Sequence, residues 1–230
     1  MSRNIILTVD DIPEGNTVAM TDYLLGKGIK PVFFAWGEFL ANDPDSAVYA
    51  LKKGIIIGNH TYTHKKLSEI TYEEGIEEIS RCDELLNEVY AKAGVAREHK
   101  LFRFPYLDDG GENRERYIAY LRDNGFEKID DRGIISQEYK DNGWDKSIGV
   151  YCSFDCMEYM LREGSDMTME KIFANIDREF GSPSAGDEDH IVLIHSHDET
   201  DKREPLYYER IIERFISNGA KFREASFIRI

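Results

Sequence analysis

The sequence predicts an α/β fold in which about seven parallel strands close into a barrel with helices outside. Three observations predict it. Strand-like and helix-like segments alternate from end to end, and a β-then-α order repeated along a chain requires crossover helices and a parallel sheet. Four apolar runs lead into acid, imidazole or guanidinium: Ile5 to Val9 before Asp10 and Asp11, Ile55 to Ile57 before His60 and His64, Leu101 and Phe102 before Arg103, and Ile191 to Ile194 before His195. In strand-helix barrels the strand ends supply the catalytic groups at one rim, so motifs this far apart in sequence are expected to be neighbours in space. The chain has 230 residues, 41% of them hydrophobic, enough for one large core, and a single domain over 1–230 is expected.

Each element has its own signal. Asn4 to Val9 is a short apolar run of strand length. Val18 to Lys27 carries Val18, Met20, Leu24 and Leu25 at helical intervals, and Gly26 and Gly28 stop it. Pro31 to Ala35 reads as the second strand, Ala47 to Lys53 as a short helix and Ile55 to Gly58 as the third strand. Tyr72 to Ala93 is the longest helix, with Ile76, Ile79, Leu85, Leu86 and Val89 on one side and Gly94 as its stop. Leu101 to Phe104 is the fourth strand, and Arg116 to Asn124 a helix ending at Gly125. Between Lys128 and Ser153 short apolar pieces alternate with Asp, Asn and Gly, and no element is assigned. Met169 to Phe180 is helical, Ser182 to Asp189 a loop, His190 to Ile194 a strand, Tyr207 to Asn218 a helix and Lys221 to Ile230 a terminal strand region.

Lys and Arg total 29 against 44 Asp and Glu, a formal net charge of −15 that disfavours nucleic acid and anionic membranes as partners. A neutral or cationic small molecule or glycan suits the charge better. Oligomeric state is not legible. The three cysteines, Cys82, Cys152 and Cys156, make neither a disulfide framework nor paired zinc knuckles and are expected as free core thiols. The first strand begins almost at Met1, leaving no secretory leader, and no apolar run approaches the ~18 residues of a membrane span. The chain as written is expected to be cytoplasmic, or secreted if a leader has been removed.

His60 and His64 are four apart, a spacing that on a helical turn puts both imidazoles on one face toward one ion. Two His and a carboxylate from Asp10-Asp11 would make a three-ligand site with an open position for water. Adjacent carboxylates at a strand end point in different directions unless a turn intervenes, so one can ligate while the other acts as base. Arg103, set among Leu, Phe, Phe and Pro, is placed to hold a carboxylate ionised. His195 taken alone reads first as a satisfied core histidine. His197 and Asp198 read as loop residues or substrate contacts.

Taken together these residues resemble the polysaccharide deacetylase family, also called the NodB-homology or carbohydrate esterase family 4 domain. Thr8-Val9-Asp10-Asp11-Ile12-Pro13 is similar to the TFDDGP motif, His60-Thr61-Tyr62-Thr63-His64 to H(S/T)xxH, Arg103-Phe104-Pro105-Tyr106 to RxPY, Asp155-Cys156-Met157-Glu158-Tyr159 to DxxDW and Leu193-Ile194-His195 to LxH. The chain departs from the family pattern at Ile12 (usually Gly), at Glu158 and Tyr159 (Asp and Trp), and at Ser196 (Asp). The resemblance implies a distorted (β/α)7 barrel. It implies Asp10 as general base, oriented by Arg103, and Asp11, His60 and His64 as ligands of one divalent metal, usually zinc, with cobalt or nickel as alternatives. It also implies His195 as general acid tuned by Glu158, Tyr159 and Leu193 around the acetyl methyl, and the Tyr106 backbone N–H at the oxyanion. Whether Asp155 or Glu158 is the motif-four acid stays open. The implied function is removal of N-acetyl groups from an N-acetylglucosamine-containing glycan. The alternatives are an O-acetyl (acetylxylan-type) esterase, a non-catalytic glycan-binding member, and a cyclic-imide or amide hydrolase.

Overall fold

The strand β1 (Arg3–Ile12) lies at the centre of the sheet because it is apolar on both faces, as a parallel strand covered on both sides must be. The structure, a computed structural model, describes residues 3–182 and 188–230; residues 183–187 of the predicted loop lie outside the described residues. On one edge β1 runs parallel to β6 (Glu188–His195), in register from Arg3 opposite Glu188 to Asp10 opposite His195. On the other it pairs with β2 (Val32–Ala35) and, at Asn4 and Ile5, with β7 (Lys221–Phe222). β2 continues the parallel sheet to β3 (Ile56–Asn59). Asn59 bridges to Phe102, and Leu101 to Glu127. The ring closes where Val150 N–H donates to the Phe102 carbonyl at 2.8 Å and β5 (Phe154–Asp155) pairs with Val192 and Leu193 of β6. One face of this distorted barrel holds the site.

The fourth strand is shorter than expected, two bridged residues in place of Leu101 to Phe104. Pro105 accounts for this: it lacks an N–H and restricts Phe104, and Pro105–Leu107 turns away as a 3₁₀ segment. The unassigned stretch contains β4 (Lys128–Ile129), which pairs antiparallel with β8 (Phe227–Ile228), and a short helix, Gln137–Asp141. The terminal strand region is therefore two short strands with different partners.

The helices are α1 (Thr17–Gly26), α2 (Gly37–Asn42), α3 (Pro44–Lys52), α4 (Tyr72–Ala93), α5 (Arg114–Asp123), α6 (Gln137–Asp141), α7 (Met169–Phe180), α8 (Asp198–Arg203) and α9 (Tyr207–Ser217). Sequence periodicity misses α2, which is too short to show a period. It also starts α3 too late, because Pro44 begins the helix under the Asp43 cap rather than breaking it. α4 is bounded as the sequence predicts: Thr71 and Glu74 form a capping box, and Gly94 ends the helix at φ 71°.

Strand alternation divides the core. Ile5, Leu7 and Val9 of β1, Phe33 of β2 and Val192 and Ile194 of β6 pack outward under the helices. Ile6, Phe34, Phe102, Ile191 and Leu193 pack inside with Phe104, Tyr117 and Tyr151. The same parity carries Thr8 and Asp10 of β1 and His195 of β6 to the interior side at the strands' C-terminal ends. All three cysteines are buried and free, as expected.

Candidate active site

Asp10 and Asp11 both face the same cleft. Alternation would send Asp11 outward with Val9, but its φ of 63° and the register shift between Val9 and Ile12 turn it back. The His60 Nε2 atom lies 3.5 Å from Asp10 Oδ2 and 3.6 Å from Asp11 Oδ1. The two carboxylates therefore converge where strand geometry alone would separate them.

His60 and His64 are also brought together, though not by a helix. Residues 60–66 form a loop with left-handed backbone at Thr61 (φ 66°) and His64 (φ 58°), which corrects the helical-face expectation. Neighbouring side chains stabilise that conformation. Asn59 Oδ1 accepts from Thr61 N–H at 2.8 Å, and Glu78 of α4 accepts from Tyr62 N–H, Thr63 N–H and the Thr63 hydroxyl. His60 Nδ1 donates to the Arg103 carbonyl at 2.9 Å, so its Nε2 lone pair faces the cleft. The His64 ring stacks on Trp36, centroids 4.6 Å apart, and meets Tyr106 at 4.7 Å.

The donor set suits a divalent ion. Asp11 Oδ1 lies 3.6 Å and 3.5 Å from the Nε2 atoms of His60 and His64, which are 3.1 Å from each other. A tetrahedral ion with ligand bonds of about 2.0–2.1 Å sets its ligands roughly 3.3–3.4 Å apart. Asp11 Oδ1 is moreover buried without a hydrogen-bond partner among the described residues. Burial drives the Asp11 carboxyl upward, but its hydrogen bond to His197 and the neighbouring imidazoles outweigh that and hold it well below the usual carboxylate range. Burial chiefly pushes His64 down to about 4, leaving it neutral near pH 7 and able to ligate.

Arg103 is fully buried, and its guanidinium lies over the Phe34 ring. Nη1 donates to Asp10 Oδ1 at 2.7 Å and to the Thr8 hydroxyl at 2.9 Å, and Nε donates to the Val150 carbonyl at 3.0 Å. On the opposite wall His195 Nδ1 is 3.0 Å from Glu158 Oε1, and the His195 N–H donates to the same oxygen. Burial opposes the imidazolium, but Glu158 foremost, with Asp11 and Asp155, pushes His195 up to about 10. Asp155 is raised to about 6, chiefly by burial. The contact to His195 comes from Glu158, whereas the Asp155 carboxylate accepts from Met157 N–H at 2.8 Å.

These groups surround a cleft of about 320 Å³. Asp10, Asp11, His60, His64, Tyr106, Tyr159, Leu193 and His195 line it, while Arg103 and Glu158 lie behind its walls. Tyr159 packs edge-on to His195 with centroids 4.9 Å apart, and Tyr106 stands at the rim, 63% exposed. Sequence reasoning missed Trp36, Phe104 and Leu107 in the lining. Trp36 follows β2 directly, so the strand-end rule could have found it. His197 lies in the loop between β6 and α8 as expected, and its imidazole hydrogen-bonds Asp11, a contact the sequence does not show.

The sequence profile described as polysaccharide deacetylase matches residues 2–129, more than half of the chain. The chain belongs to the polysaccharide deacetylase family. Among relatives in this deacetylase family it is 29% identical, over 146 residues, to the peptidoglycan-N-acetylglucosamine deacetylase of Bacillus cereus, a match covering 60% of this chain and 50% of that one. The chain thus spans about half the length of that relative. The solved chitin deacetylase from the fungal pathogen Colletotrichum lindemuthianum superposes with a TM-score of 0.66 at 20% identity, covering 96% of this chain and 84% of that one. A family pseudoenzyme from Bacillus anthracis superposes with a TM-score of 0.58 at 16% identity, covering 96% and 63%. These likenesses show the fold, the distorted (β/α)7 barrel of the family's solved members, and the pseudoenzyme shows that the fold also occurs without activity. Among the described residues no helix is long and apolar enough to cross a membrane.

Proposed function

We propose that this chain is a metal-dependent deacetylase removing N-acetyl groups from an N-acetylglucosamine-containing glycan. One observation carries the reading: a His60–His64–Asp11 donor set stands between an Arg103-held carboxylate and a Glu158-held imidazole, all around one cleft. Asp11, His60 and His64 would hold the ion, with zinc the first expectation and cobalt or nickel the alternatives. Such an ion, when bound, supplies Lewis acidity toward a carbonyl oxygen and a lowered pKa for water.

The chain's own residues supply the rest. Asp10, kept in place by Arg103, takes a proton from the attacking water as general base. The amine leaving group must gain a proton before it departs, and His195, held protonated by Glu158, delivers it. Leu193 and Tyr159 border the space beside His195 and would receive the acetyl methyl. Tyr106 at the rim presents a ring against which a sugar face can pack, and its backbone N–H would help hold the oxyanion. The net charge of −15 suits a glycan better than a polyanion as the partner.

The test is acetate release by the metal-reconstituted protein from N-acetylglucosamine oligomers and from acetylated xylan. Release from the oligomers is expected. Release from xylan alone would reassign the chain to O-acetyl esters, and release from neither, with the ion bound, would make it a binding member of the fold.

A further inference from the structure

We propose that His197 is a positioning residue for the ion site, fixing the Asp11 carboxylate so that a single oxygen faces the two histidines. The inference rests on the metal-dependent function proposed above and assigns a role to a residue outside the family motifs quoted for this chain.

Asp11 divides its two oxygens cleanly. His197 Nε2 lies 2.7 Å from Oδ2, while Oδ1 lies near the Nε2 atoms of His60 and His64 and has no hydrogen-bond partner among the described residues. A carboxylate accepts only, so His197 carries its proton on Nε2 and donates. With Oδ2 engaged, Asp11 can offer the ion Oδ1 alone, which suits a four-coordinate site built of two His and one carboxylate. Among the described residues, the donors of Asp11, His60 and His64 lie within 4.8 Å of one another and the His197 nitrogens are not part of that cluster, so His197 acts through Asp11 rather than as a fourth ligand.

The His197 backbone is held where this contact requires it. Its N–H donates to the buried Tyr207 hydroxyl at 3.2 Å, and that hydroxyl donates to the His195 carbonyl. Ser196 N–H donates to the Asp10 carbonyl at 3.0 Å, and Asp198 N–H donates to the Glu14 carboxylate. Thus the segment after β6 is fastened on both sides of His197, to the end of β1 that carries Asp11 and to Glu14 just beyond it. Asp11 sits at φ 63°, a conformation uncommon for a residue other than glycine, and a hydrogen-bond partner on its free oxygen orients a ligating carboxylate.

The experiment measures zinc affinity, by competition with a chromophoric chelator, for the wild type, His197→Ala, His197→Gln and His60→Ala, with circular dichroism verifying the fold. His197→Ala is expected to weaken zinc by about 10- to 100-fold, the usual effect of removing an outer-shell partner. His197→Gln keeps an N–H near the Nε2 position and should recover most of that loss, which a merely space-filling role would not produce. His60→Ala should abolish stoichiometric binding. Unchanged affinity in His197→Ala, or equal losses in the Ala and Gln variants, would overturn the role of His197 while leaving the ion site standing. A wild type that binds no zinc, cobalt or nickel would overturn the ion site itself, and the inference with it.

Discussion

Asp10 and Asp11 are neighbours in the chain, yet their surroundings differ, and under the proposed function they would do different work. Asp10 keeps the strand's inward parity and meets a fully buried Arg103, whereas Asp11, turned in at φ 63°, meets three imidazoles. Asp10→Asn should therefore retain the ion and lose acetate release by on the order of 10²–10⁴-fold, while Asp11→Asn should lose the ion; metal analysis beside the acetate assay separates the two outcomes. Loss of the ion from Asp10→Asn alone would exchange their roles. Arg103→Ala leaves a buried carboxylate without its partner and should cost about 3–5 kcal/mol in urea unfolding. His195 supplies a pH prediction. Its folded pKa of about 10 lies above the ordinary histidine value, so the stabilisation is fully present below about pH 6.5 and is lost as pH rises toward 10. Urea midpoints of the metal-free protein should fall between pH 7 and 10, and Glu158→Gln, which removes the first group raising that pKa, should flatten the fall. Equal slopes in both proteins would mean that Glu158 does not hold the imidazolium.

Helix α4 links fold to site at the next scale. Its Glu78 carboxylate receives three donors from Tyr62 and Thr63, and these hold the left-handed turns that aim both histidines. The four-residue spacing was legible as a metal signal, but its helical rationale was not the one the protein uses, because no sequence pattern shows that a carboxylate from the following helix will satisfy the loop. Other features were legible for simpler reasons. The apolar face, capping box and glycine stop of α4 are local, and so are the apolar runs of β1 and β6. The carboxylate that reaches His195, by contrast, depended on the turn after β5, where Met157 takes a left-handed conformation. Gly75 of α4 gives a test with a non-obvious sign. Alanine normally stabilises a helix by roughly 0.5–1 kcal/mol over glycine. A Cβ here would stand 2.0 Å from the Tyr117 hydroxyl and 2.7 Å from its ring carbon, an overlap in a buried position. Overpacking of that kind costs about 1–3 kcal/mol, so Gly75→Ala should lower the urea midpoint despite its better helix propensity. A raised midpoint would show that Tyr117 moves freely, contrary to its packing between Tyr72 and Phe104.

Across the whole molecule the barrel is unevenly built. Strands β1, β2, β3 and β6 form a continuous parallel ladder, with β1 and β6 paired along eight registers. The remaining wall consists of the bridges at Leu101 and Phe102, the two-residue β5 and the hydrogen bond from Val150. This unevenness explains which parts of the fold were open to sequence reading. The continuous wall is made of apolar runs that announce themselves, while the other is made of single residues whose partners lie far away in the chain. It also divides the site, because Asp10 and Asp11 stand at the end of β1, whereas Glu158 and Tyr159 follow β5. Local opening draws on the regions with the fewest buried ladder bonds. Native-state hydrogen exchange in low urea should therefore show the amides of Ile6, Val9, Val192 and Ile194 opening only with global unfolding. Those of Val150 and Cys156, which donate to Phe102 and Leu193, should open at lower free energy. Turnover should then fall at urea concentrations where the ion is still held, since the wall bearing Glu158 loosens before the strand bearing Asp11. Exchange of both groups with one common free energy, or loss of ion and turnover together, would show that the two walls unfold as one unit.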